Sequence, residues 1–190
     1  LKKNPQYPVN RGFSLLEVLV AVVILSVGLL GIAGLQVAGL RVNHSSYMRT
    51  QATLLAYDMA DRMRANITKQ SDGSYRPVDY NMAAVVPAQH AGCREKATGC
   101  TPQQMAENDL FEWNQAIQAL LPSGNDCPAG GAVFCGVVCR NTIPVETDST
   151  PAAPNCDGAA DDPYAIKIWW DDNKDGAATQ RFVVTFQPQL

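Results

Sequence analysis

From Val18 to Leu40 no side chain is charged, and only Ser26 and Gln36 are clearly polar. This run of about 23 residues is long enough to cross roughly 30 Å of hydrocarbon as a helix. The pattern then changes. Met48, Ala52, Leu55, Met59 and Met63 recur at helical spacing along one stripe, while Arg49, Asp58, Asp61, Arg62 and Arg64 fill the other faces. Phe13 to about Asn66 therefore predicts one helix of roughly 80 Å. Its first half, 13–40, is apolar all round, and its second half, 41–66, is amphipathic. Thr68 to Pro102 is rich in turn formers and reads as irregular, with short strands near Tyr75 to Tyr80. Thr101-Pro102-Gln103-Gln104 is a helix start, with Thr at the N-cap, Pro at the first helical position and Gln at the third. Leu110, Trp113, Ile117 and Leu121 mark the apolar face of that helix, and Pro122 and Gly124 stop it. Ala132 to Cys139, Tyr164 to Trp170 and Arg181 to Phe186 read as strands, the last two forming a hairpin around a polar turn. The fold class is α+β: a long N-terminal helix, its first half transmembrane, packed on a small antiparallel sheet within a globular domain at 67–190.

Composition and charge narrow the class. With 190 residues, 46% hydrophobic and 17% charged, the chain suits one modest domain plus an extended element. The formal net charge of −3 gives no basic excess, so nucleic acid is not an expected partner. Cys93, Cys100, Cys127, Cys135, Cys139 and Cys156 all follow the apolar run. An even count confined to the soluble part points to disulfides in an oxidising compartment, with every pairing open. Cys135 and Cys139 with Cys127 also admit a zinc reading, but the compartment and strand context favour disulfides, and no metal is expected. Lys2, Lys3 and Arg11 precede the run and favour a cytoplasmic N-terminus, which sends the bulk of the chain to the periplasm; Arg41 and Arg49 on the other flank weigh against this. No small-residue cleavage site of the ordinary secretory kind follows the run.

Glu17 stands at the start of the apolar run, where a carboxylate is either an interfacial residue or a functional one. It belongs to Gly12-Phe13-Ser14-Leu15-Leu16-Glu17-Val18-Leu19-Val20-Ala21, which closely resembles the prepilin processing motif. The resemblance implies a leader at 1–12, cleavage between Gly12 and Phe13 by a prepilin peptidase, and N-methylation of Phe13. It also implies packing of the helix into a filament core, with Glu17 governing assembly and register. Loss of the leader leaves 12 basic and 18 acidic residues, a net charge of −6. Gly28, Gly31 and Gly34 have two compatible readings: close helix packing through small residues, or a weak point where the helix can stretch.

Further along, Ala56-Tyr57-Asp58-Met59-Ala60-Asp61-Arg62-Met63-Arg64-Ala65-Asn66 resembles the V-type minor pilins of type IV pilus systems. So do Leu110-Phe111-Glu112-Trp113, Leu120-Leu121-Pro122-Ser123-Gly124 and Ile166-Lys167-Ile168-Trp169-Trp170-Asp171. This resemblance implies a single-pass inner-membrane subunit with a periplasmic domain that passes into the pilus and supports the start of assembly near its tip. The implied partners are the membrane, the major pilin, other minor pilins and a tip adhesin. A type II secretion pseudopilin and a ligand-binding adhesin are the alternatives.

Catalysis and cofactors are not expected. Asp171-Asp172-Asn173-Lys174-Asp175-Gly176 matches the first half of a calcium loop, but position 12 is Phe182 instead of a bidentate Glu. The preferred reading is a polar hairpin turn without a calcium effect. His44 and His90 have no recognisable nucleophile motif nearby.

Overall fold

The computed structural model describes residues 13–69, 75–82, 85–94, 99–127, 133–142, 149–159 and 162–187. The leader reading of 1–12, with Gly12, lies outside these residues, as does Ala132 at the expected start of a strand. Helix α1 runs Leu15–Ala65. The chain forms two compact units, the first ending at His44 and the second beginning at Ser45.

In the first unit every described side chain is exposed. The helix is unbroken through Gly28, Gly31 and Gly34, and a Cβ added at any of them would meet nothing within 4 Å. Ser26 returns its hydroxyl to the Val22 carbonyl at 2.6 Å, which satisfies that polar group inside its own helix.

The second unit begins with the stripe of α1 that the periodicity marks. Met48, Ala52, Leu55, Ala56, Met59, Ala60 and Met63 are buried. Alternation of long Met with small Ala lets other elements approach the helix closely while the flexible Met side chains fill the gaps. Strands β1 (Ile67–Lys69) and β2 (Tyr75–Pro77) form a small antiparallel pair. The pairing of β1 was not anticipated, and three residues are too short to show a period. A single 3-10 turn at Ala91–Arg94 precedes α2 (Pro102–Leu120). Helix α2 starts on a complete capping box: the Gln104 amide donates to Thr101 Oγ1 at 3.2 Å and the Thr101 amide donates to Gln104 Oε1 at 3.0 Å.

The main sheet has the order β3-β4-β5, antiparallel throughout, with β3 at Gly136–Arg140, β4 at Tyr164–Trp170 and β5 at Gln180–Phe186. Strand β3 starts later than the sequence predicts, at Gly136 instead of Ala132, because α2 reaches the strand at that point. The Gly136 amide donates to Asn114 Oδ1 at 3.0 Å, and a Cβ at 136 would collide with Ile117 and lie 2.6 Å from the Trp113 ring. Tyr164, Ile166, Ile168 and Trp170 join Leu110, Trp113, Ile117 and the α1 stripe in one core. The α+β class and the antiparallel sheet agree with the sequence reading.

The other face of β4 departs from a simple one-sided sheet. Ala165, Lys167 and Trp169 are buried as well. Lys167 Nζ donates to the Pro154 and Asn155 carbonyls at 2.6 and 3.2 Å, and the Trp169 indole donates to the Ser149 carbonyl at 3.1 Å. Segment 149–159 thus covers this face, and Cys139–Cys156 bonds it to β3.

Candidate assembly site and its supporting domain

The N-terminus of α1 is built by Ser14, whose carbonyl accepts the Glu17 and Val18 amides at 3.0 and 3.3 Å. Glu17 therefore sits in the first turn, where a negative charge complements the exposed amides. Phe13 and Glu17 lie four residues apart on the helix and, with Val18, Ala21, Val22 and Leu25, line a shallow groove. Phe13 is 85% exposed and Glu17 is also exposed. The apolar stretch of α1 is long enough to cross a membrane, has a mean hydropathy of 2.8, and buries nothing within the chain. Such a surface is stable only against lipid or other apolar helices.

The end of α1 meets α2 in a charged network. Arg62 Nε pairs with Asp58 at 2.9 Å, and its guanidinium reaches Asp109 at 3.2 Å and Glu112 at 3.7 Å. Asp109 is 8% exposed and also accepts the Tyr80 hydroxyl at 2.8 Å. Asn66 donates to Tyr80 Oη at 3.0 Å and to the Pro102 carbonyl at 2.8 Å. The Trp113 indole donates to the Leu55 carbonyl at 2.8 Å. Burial, with Asp109 alongside, pushes the Tyr80 hydroxyl well above its ordinary pKa, against the lowering effect of Asn66 and Arg62. For Glu112, burial opposes ionisation, but hydrogen bonds from Arg94 and Asn108 and the Arg94 and Arg62 charges outweigh it and hold the carboxyl below its ordinary value.

This network gathers Asp58, Arg62, Asn66, Glu112 and Trp113 from two of the resemblance motifs and gives them a structural task, joining α1 to α2. Tyr80 and Asp109 are equally part of it and were not singled out from the sequence. Their partners Arg62 and Asn66 lay in a recognised motif, but no signal in their own stretches of sequence marked them.

All six cysteines are bonded, as Cys93–Cys100, Cys127–Cys135 and Cys139–Cys156. The zinc set of Cys127, Cys135 and Cys139 is therefore divided between two disulfides, and no thiolate remains to ligate. His44 is exposed, and His90 Nε2 lies 2.6 Å from Glu107 Oε2. On the outer face of the sheet, Asp126, Ser149, Thr150, Trp169, Thr179 and Arg181 are among the residues lining a cleft of about 530 Å³. There Arg181 donates to Ser149 Oγ at 2.5 Å.

Comparison with known families adds two findings. Residues 8–33 match the prokaryotic N-terminal methylation motif, and residues 34–111 match the family of type IV pilin Tt1218. No curated protein and no solved structure matches the chain. The two matches adjoin, covering 8 to 111, and with the fold they support a pilin or pseudopilin subunit.

Proposed function

We propose that this chain is a V-type minor pilin of a type IV pilus, a non-enzymatic subunit that helps start filament assembly near the tip. A prepilin peptidase removes residues 1–12, Phe13 becomes the methylated N-terminus, and the apolar half of α1 passes from the inner membrane into the filament core. The domain from Ser45 faces the periplasm and then the pilus surface, in contact with the major pilin, other minor pilins and a tip adhesin. The observation that carries this reading is the pairing of a complete processing motif with an apolar helix that buries nothing within its own chain. Such a helix needs other subunits once it leaves the lipid.

A second reading, a pilus-borne ligand-binding subunit, is favoured by the cleft at Arg181 and Ser149. The test is a strain lacking the chain, complemented by wild type or by Gly12→Val. The proposal expects few surface pili without the chain, restoration by wild type, and no restoration by Gly12→Val, which keeps its leader by mass spectrometry. Normal piliation without the chain, but loss of attachment, would select the ligand-binding reading instead. A secretion defect with normal pili would indicate a pseudopilin.

A further inference from the structure

The two edges of the β3-β4-β5 sheet are finished differently. The Trp169 amide donates to the Cys135 carbonyl at 2.9 Å, and the Asn141 amide donates to the Pro163 carbonyl at 3.2 Å. Main-chain groups alternate in direction along an antiparallel strand, so odd-numbered residues of β4 bond to β3 and even-numbered ones bond to β5. The register then turns Gly136, Val138 and Arg140 outward on β3, and Arg181, Val183 and Thr185 outward on β5.

On β3 each outward residue is met. The Gly136 amide donates to Asn114 Oδ1 at 3.0 Å, and the Arg140 carbonyl accepts the Gly158 amide at 3.1 Å. The Val138 carbonyl accepts the Met82 amide at 2.8 Å, while its own amide faces Met82 Sδ at 3.4 Å. On β5, among the described residues, nothing meets the main-chain groups of Arg181, Val183 or Thr185. Such an edge is a template for a further strand. The usual safeguards are sparse, because Gln180–Phe186 contains no Pro and a single charge, Arg181.

The side chains specify the strand that fits. Phe182 and Val184 pack against the core, whereas Arg181 and Val183 stand opposite Trp169 and Lys167 on the outer face. There Arg181 lines the cleft with Thr150 and Thr179, and its one printed partner is the neutral Ser149 hydroxyl. Asp126, also in the cleft lining, is engaged by the Ala178 amide at 2.6 Å. Residues directly opposite on neighbouring strands share a face. A strand added beyond β5 would therefore hold one side chain over the cleft beside Arg181.

We propose that the β5 edge docks an extended segment of another protein, added antiparallel as a fourth strand. The segment carries a carboxylate opposite Arg181 and apolar side chains opposite Phe182 and Val184. Main-chain bonds to Arg181, Val183 and Thr185 supply affinity, and the Arg181 cleft supplies selectivity. A second copy of β5 is a poorer occupant, because Gln180–Phe186 has no Asp or Glu to offer. The inference rests on the sheet alone, so it stands or falls independently of a place in the pilus.

The test uses the full chain in detergent micelles and two synthetic peptides, acetyl-Thr-Thr-Val-Thr-Val-Glu-Thr-amide and the same peptide with Lys in place of Glu. In the chain alone, the amides of Arg181, Val183 and Thr185 should exchange rapidly with solvent while those of Phe182 and Val184 are protected. The Glu peptide should slow the first set. The Lys peptide should bind roughly threefold to tenfold more weakly, and Arg181→Glu should reverse the preference. Val183→Pro removes an amide that takes no part in pairing with β4, so Tm should hold while peptide binding is lost. Protection of the three amides without peptide would show the edge already filled, by this chain or, if protection grows with protein concentration, by a second copy. Either result overturns the proposal. Equal binding of the two peptides, or binding of neither, also overturns it, leaving Arg181 as a charge that keeps the edge from pairing.

Discussion

Under the proposed function, a single carboxylate at the entrance to an apolar helix would tie the chemistry of this chain to its assembly. In the isolated subunit Glu17 is exposed in the first turn of α1, where the helix amides favour its charge. Packed among other helices it would need a cation, and the proposed cleavage before Phe13 would create an amine four residues away on the same helix. In a filament a staggered neighbour would present the same amine from outside. Because an unpaired buried charge costs several kcal/mol, that second pairing would select the subunit register. Glu17→Leu is expected to leave processing and membrane insertion intact while sharply lowering the amount of the subunit in sheared pili, read by immunoblot. Glu17→Asp should be intermediate, because the charge stays and its reach shortens. Incorporation of Glu17→Leu at the wild-type level would reduce Glu17 to an interfacial residue. Not every important residue was visible at this scale. Asp109 and Tyr80 look ordinary in the sequence, and their importance comes from Arg62 and Asn66 arriving from another helix.

At the scale of elements, the strongest local signals produced the most accurate boundaries. The capping box at Thr101 and the Pro that follows it placed the start of α2, since both act within one turn of backbone. Thr101→Ala should destabilise the domain by about 0.5–2 kcal/mol, because an orphan amide loses its acceptor. Urea unfolding of the oxidised protein measures this, and an unchanged midpoint would mean that water caps the helix equally well. Strand β3 shows the opposite case. Its apolar run continues upstream of Gly136, but the contact with Asn114, Ile117 and Trp113 sets where pairing begins. The disulfides link cysteines that follow one another in sequence, at separations of 7, 8 and 17. Each closes a short loop, but nothing in the spacing excluded the other pairings.

For the molecule as a whole, the ionisable groups of the domain bracket a range of stability. Tyr80 and Tyr164 are pushed above their ordinary value of 10.0 chiefly by burial, with Asp109 and Asp79 respectively adding to the shift. Their neutral forms stabilise the folded state, so this contribution is complete below about pH 10 and is lost as pH rises toward the folded values. Glu112 works in the other direction. Its carboxyl lies below the ordinary 4.5, so its contribution is present above that pH and falls away as acid protonates it. Thermal melts should therefore show Tm declining on both sides, steeply above about pH 10. Tyr80→Phe and Tyr164→Phe should flatten the alkaline limb even as they lower the plateau by removing a hydrogen bond. An alkaline limb unchanged in both variants would place its origin in other groups.

The sequence by itself determined the long helix, its division into an apolar and an amphipathic half, the capped helix α2, the β4–β5 hairpin and the processing motif. These are set by periodicity, capping and contiguous residues, all of which act over a few turns of chain. Only the tertiary structure decided the pairing of the cysteines, the start of β3, the covering of Lys167 and Trp169 by segment 149–159, and the approach of Asp126 to the acidic turn. Each of these depends on which distant groups share the same space. A buried lysine between two isoleucines, or a strand edge left open, acquires its meaning from neighbours that local sequence does not specify.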